Sequence, residues 1–229
     1  MSEKNDLAEE REIVPSFVDS LDEDILDVAI ELSELGIDGI VDAGVFSCVP
    51  VIRMAFGLGK TMRSLHERNF ARQVVSFLAG VRNGTIDDVK LRYHRERLRS
   101  DPLFAEKELG YVLILVDKNV DARRSKLQGK LYSAFVMGRI GWDDFVDSCE
   151  VVSRCMMSDM ETLRLIHEGV LQESTNENTF RTDRLASFGL ITRSMKDLII
   201  SGTVSDTRYY LSMTDFGRML CECALEGEG

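Results

Sequence analysis

The sequence predicts an all-α protein: a multi-helix bundle carrying a small C-terminal β-hairpin wing of winged-helix type. Three observations lead there. Apolar residues recur at three- and four-residue spacing through most of the chain, which puts them on one face of successive helices. Strand-forming residues are scarce. Only beyond about residue 180 does the pattern change, with Gly189-Leu190-Ile191 turning a helix into extended sequence. The predicted divisions are a disordered acidic tail over 1–15, a helical domain over 16–170 and a winged-helix-like subdomain over 180–225.

The elements follow in order. Ser20 and Glu23 read as a capping box ahead of the ladder Leu21, Ile25, Val28, Leu32 and Leu35, with Gly36 as the stop. Ile37–Lys60 is apolar and glycine-punctuated, and reads as a closely packed helical hairpin. Leu65, Phe70, Val74, Phe77, Leu78 and Val81 make a second amphipathic helix, ended by Asn83-Gly84. Thr85 and Asp88 suggest a capped start for the polar surface helix KLRYHRERLR. Asp101-Pro102 is a strong start signal, a cap followed by proline at the first helical position. The helix it opens should turn Leu103, Leu109, Leu113 and Val116 inward. A further helix runs from Asp121 through Leu127, Leu131 and Phe135 to Gly138. Trp142, Phe145, Val146, Cys149, Val152 and Met156 line the next, which Met160, Leu163 and Ile166 extend or follow as a separate short helix. Residues 172–179 read as a polar connector, and Arg184 to Phe188 as helix. Leu198–Ile200 and Tyr209–Leu211 should pair as a two-stranded ribbon, before a last helix opened by Ser212–Asp215.

Charge is unevenly spread. The chain carries a formal −11. Residues 1–34 hold twelve acids against Lys4 and Arg11, a net of −10, while residues 53–99 hold eleven Lys or Arg against four acids, a net of +7. Such asymmetry either draws the two segments together or presents a basic face to an acidic partner. The basic residues that would form such a face are Arg63, Arg68, Arg72, Arg92, Arg95 and Arg99. Five scattered cysteines without a CxxC pair fit reduced thiols, and the acidic N-terminus lacks a secretory pattern, so a cytoplasmic location is expected.

No residue set declares a reaction. Gly57-Leu58-Gly59-Lys60-Thr61 resembles the end of a phosphate loop, but Met54 stands where the motif needs glycine, and no clean strand leads in. As a membrane span, Ile37–Lys60 would carry Asp42 and Arg53 at a cost of about 5–7 kcal/mol, against roughly 3–6 returned by its apolar residues. A permanent span is therefore unfavourable, and peripheral membrane contact through residues 37–60 remains an alternative. Asp143, Asp144, Asp147 and Glu150 should face water, since the inward positions of their helix are apolar. His66, His94 and His167 lack metal-ligand spacing, and Cys221-x-Cys223 is a weak metal signal. No catalytic residue, metal or cofactor is predicted.

The C-terminal run DRLASFGLI, a wing containing SDTRYYLS, and MTDFGRML resemble the last two-thirds of a winged-helix domain. There Arg181, Arg184, Arg193 and Arg208 would offer phosphate contacts, although the polar connector leaves little room for the first helix of a helix-turn-helix. Together with GLGK and RSLHERNF, this C-terminal block also resembles the bacterial abortive-infection alpha-helical (Abi-alpha) family, over about half of the chain. The middle, KLQGKLYSAFVMGRIGWDDF, is similar to related uncharacterised bacterial and prophage proteins. The resemblance implies a role in phage defence and carries over no catalytic residues. The expectation is thus a non-enzymatic protein that binds a protein partner or itself. The alternatives are a transcriptional regulator using Arg181, Arg184 and Arg208 on DNA, and a conditionally membrane-acting effector.

Overall fold

Capping side chains and glycines divide the chain into helices, as seen in a computed structural model that describes residues 13–34, 48–57, 64–84, 86–175, 178–201 and 204–226, with 196–201 and 204–208 as backbone only. The described residues are mostly helical, with one three-stranded antiparallel sheet near the C-terminus. The predicted all-α bundle with a small β wing is what forms. The chain divides into two compact units, Met1–Trp142 and Asp143–Gly229. The helices between 142 and 167 therefore group with the C-terminal sheet, which divides the single helical domain expected over 16–170.

In the first unit, helix α1 (residues 13–20) buries Val14, Phe17 and Val18. The tail expected over 1–15 is thus helical at 13–15, and its earlier residues lie outside those described. Helix α2 (Glu23–Glu34) follows a break at Leu21-Asp22. That break resets the helical phase, so Leu26, Ala29 and Leu32 are buried while Ile25 and Val28 sit at the margin. Ser20 does not cap α2. Its hydroxyl donates to the Ser16 carbonyl at 2.8 Å and accepts from Val51 N–H at 3.0 Å, tying α1 to helix α3 (Pro50–Phe56). Only this helix of the hydrophobic Ile37–Lys60 segment is described. A helix, not a strand, leads into Gly57, which removes the frame a phosphate loop requires. Among the described residues, no helix is long and apolar enough to cross a membrane.

Helix α4 (Leu65–Asn83) opens with a capping box that the sequence reading missed: Ser64 Oγ accepts from Glu67 N–H while Glu67 accepts from Ser64 N–H. From Gln73 to Val81 it is buried all round, as the central helix of its unit. Helix α5 (Asp88–Ser100) is capped by Asp87, and helix α6 (Pro102–Asp117) by Asp101 with Pro102 at its start, as the sequence predicts for α6. Leu103 faces solvent, however. It stands six residues before Leu109, a spacing that separates the two around the helix, whereas Ala105, Leu109, Val112 and Val116 share the buried face. Helix α7 (Ala122–Val136) is capped by Asp121 and packs directly along α4. A Cβ on Gly80 would lie 2.1 Å from the Lys126 carbonyl oxygen, and one on Gly129 would lie 2.0 Å from that of Phe77. Glycine on both sides permits this backbone approach.

In the second unit, helix α8 (Trp142–Arg154) buries Phe145, Ser148, Cys149, Val151 and Val152 and leaves Asp143, Asp144, Asp147 and Glu150 exposed, as expected. Helix α9 (Met157–His167) is separate: Met156 N–H donates to Asp159 Oδ2 at 3.0 Å and starts a new turn. The polar connector contains strand β1 (Glu173–Ser174), too short and polar to show alternation. Helix α10 (Thr179–Ser187) leads through Gly189, at φ 71°, into strand β2 (Ile191–Ser201), which pairs with β3 (Val204–Met213). The sheet order is β1-β3-β2. The ribbon is longer than predicted and differently registered: Tyr209 pairs with Met195, Leu211 with Arg193, and Leu198 with Thr207. Thr214 caps helix α11 (Asp215–Leu220), and a π turn at Cys221–Leu225 closes the described chain.

Candidate functional site

Three basic residues of α5 pair with acids of the same unit. Arg92, Arg95 and Arg99 lie at three- and four-residue spacing on one helical face, opposite the acids of α1 and the start of α2. Arg99 meets Asp19 at 2.8 Å, Arg95 meets Asp22 at 2.8 Å, and Arg92 meets Glu23 at 3.4 Å. Arg82 extends the ladder, reaching Asp27 at 2.7 Å and Asp88 at 2.6 Å. Of the two outcomes the charge asymmetry allows, these contacts realise the intramolecular one. Arg95 is only 7% exposed, so it belongs as much to the core as to the surface. Arg68 and Arg72 are half-buried on the first turns of α4, outside this ladder, and Arg63 lies outside the described residues. The six arginines singled out from the sequence are therefore not one surface.

Beside the ladder runs a groove of about 670 Å³ between α1, the end of α5 and the start of α6. Val14, Val18, Leu98, Pro102 and Leu103 give it an apolar lining, and Asp19, Arg99 and Glu106 also border it. Leu103, at 84% exposed, stands open to solvent beside buried Val14 and Val18.

Beneath the same helices lies a polar trio that the sequence reading missed. His94 Nε2 is 2.7 Å from Glu108 Oε1 and 3.2 Å from the Tyr132 hydroxyl, which itself donates to Glu108 Oε1 at 2.6 Å. All three are buried, and Phe104 and Phe135 stand edge-on to the imidazole. Burial, with the Glu108 carboxylate beside it, pushes the Tyr132 phenol well above its ordinary value, so it stays a donor. Glu108 Oε2 is buried without a hydrogen-bond partner. The trio's signal was present: His94 sits between Leu91 and Leu98 on the inward stripe of α5, and Glu108 sits on the apolar face of α6. Its closure from solvent suits it to pinning three helices together. His66 lies 3.4 Å from Asp117 at an exposed position. Among the described residues, no group of His, Cys, Asp and Glu is placed to hold a metal ion.

In the second unit the arginines proposed for phosphate contact are largely engaged. Arg184 grips buried Asp159 with two hydrogen bonds, at 3.0 and 2.6 Å, and joins α10 to α9. Arg193 pairs with Asp183 and lies 4.6 Å from the Tyr209 ring centre. Arg181 is half-buried beside Phe180, and the side chain of Arg208 lies outside the described residues. What α10 exposes is Phe180, Asp183 and Ser187, so its open face carries an acid where a phosphate-tracking helix carries cations. Cys48 is exposed, and the four cysteines of the second unit are buried. Burial pushes Cys221 up to about 12 and Cys149 well above its ordinary value, leaving both protonated and unreactive. Compared with models of protein families, with curated proteins and with solved structures, the chain matches none.

Proposed function

We propose that this protein acts by docking a protein partner, without catalysis, in bacterial phage defence. The observation that carries the docking reading is the groove between α1, α5 and α6, with its apolar floor and uncovered Leu103. An amphipathic helix presenting apolar side chains at three- and four-residue spacing matches such a groove in chemistry. The phage-defence setting rests on the Abi-alpha resemblance alone. The test is survival of cells expressing the protein under phage challenge, comparing the parent with Leu103→Asp. Protection lost in a variant that stays folded supports the reading. Protection retained by that variant removes the groove, and no protection from the parent removes the setting.

A regulatory reading has one observation in its favour, the sheet order β1-β3-β2 reached through α10. The Arg184–Asp159 and Arg193–Asp183 pairs and the acid on the open face of α10 weigh against it. Gel-shift measurements at low salt decide it, since phosphate-driven binding is strongest there and falls steeply as salt is added.

A further inference from the structure

The geometry points to a second surface, at the opposite purpose from the groove: a peripheral contact with an anionic lipid bilayer. It is built where the first turns of α4 meet the turn between α6 and α7. Asn69 Nδ2 donates to the Asn119 carbonyl at 2.7 Å, Gln73 Nε2 donates to the Val120 carbonyl at 3.1 Å, and His66 lies 3.4 Å from Asp117. These bonds bring Leu65, Ile114 and Val120 to one end of the unit. Leu65 is 84% exposed, Val120 78% and Ile114 58%. Leu65 follows the capping Ser64 and Val120 precedes the capping Asp121, positions where the helix starts need the cap and make no use of an apolar side chain.

The charges around them favour lipid phosphate. Residues 64–72 and 114–124 carry Arg68, Arg72, Lys118, Arg123 and Arg124 against Glu67, Asp117 and Asp121, a net of +2 in a chain whose total is −11. Screening limits each charge to roughly 8–10 Å at physiological salt, so the local balance governs contact. Apolar side chains that enter the interface beside cations that meet headgroups are the two ingredients of reversible surface binding. An acidic protein face would match the net positive charge but leaves three protruding aliphatic groups unexplained, so lipid is the better match.

The experiment is co-sedimentation of the full chain with phosphatidylcholine vesicles, with and without phosphatidylglycerol, at low and raised salt. The expected result is sedimentation on the anionic vesicles only, released by salt. The double variant Leu65→Ser, Val120→Ser should bind at least about tenfold more weakly, as should Lys118→Glu. Thermal unfolding of both should match the parent, because the substituted side chains are exposed. Sedimentation on neither vesicle, equal sedimentation on both, or variants that bind like the parent overturns the proposal. Loss of phage protection in variants of a parent that ignores vesicles assigns the patch to a protein partner and equally overturns it.

Discussion

Two seams close the N-terminal unit, and they are made of opposite materials. Between α4 and α7 the helices touch backbone to backbone at Gly80 and Gly129, with no room for one added carbon. Between the acidic α1–α2 segment and α5, long side chains meet as ion pairs, most of them open to water at one or both partners. The first seam is specified by volume and the second by charge. Close-packed backbone tolerates almost no change, whereas exposed ion pairs contribute little each and are readily altered. The difference teaches where variation is available to function: along the charged seam and the groove beside it, not along the glycine seam.

The sharpest way to break this comparison is Gly129→Leu. The new side chain would start 2.0 Å from the Phe77 carbonyl, and the variant should lose more than about 4 kcal/mol or fail to fold, read by denaturant unfolding. Glu108→Leu comes next. It removes the carboxylate that both the His94 imidazole and the Tyr132 hydroxyl contact in a buried site, at a cost of about 2–4 kcal/mol. Replacing Arg95 by Ala should cost roughly 1–3 kcal/mol, because Arg95 is nearly buried against Asp22. Replacing both Arg92 and Arg99 by Ala should cost less than about 1 kcal/mol in denaturant unfolding. If that exposed pair costs as much as Arg95 alone, the distinction between the buried and open parts of the ladder fails.

A smaller effect sharpens the picture through pH. Arg123 hydrogen-bonding to Asp121, the α7 cap, holds that carboxyl below its ordinary value. A depressed carboxylate stabilises the fold above its unfolded value, near 4, and that contribution is lost as pH falls through the lower folded value. Asp121→Ala should therefore destabilise at neutral pH by about 1 kcal/mol and progressively less on acidification. Melting curves from neutral to acid pH follow it, and a gap that widens on acidification contradicts it.

How much was legible in the sequence follows from the range of each signal. Asp101-Pro102 and Gly138 mark helix ends by local chemistry and were readable as such. Of the ladder over residues 21–35, Leu21 and Leu32 are buried as expected, and Leu35 lies outside the described residues. Ile25 and Val28 sit at the margin because the Leu21-Asp22 break shifts the phase, and periodicity cannot see a break that lacks glycine or proline. Close packing was expected of the glycines in Ile37–Lys60, of which Gly39, Gly44 and Gly59 lie outside the described residues. Close packing at Gly80 and Gly129, forty-nine positions apart, was not expected, because only the pairing of two distant helices gives either glycine its meaning. The excess of acids over residues 1–34 and of bases over residues 53–99 was legible in the sequence. That Arg92, Arg95 and Arg99 meet those acids is a tertiary fact. Likewise Arg184 reads as a candidate phosphate contact until Asp159, twenty-five residues earlier, is found beneath it.

The account rests on the charged seam being a real interface within the molecule. A double-mutant cycle on Asp22 and Arg95, using Asp22→Ala, Arg95→Ala and the double variant in denaturant unfolding, tests it most directly. The predicted result is a favourable coupling of about 1–2 kcal/mol that weakens with added salt. A coupling indistinguishable from zero would mean that α5 and the acidic helices do not hold each other, and that the basic residues of α5 face a partner after all.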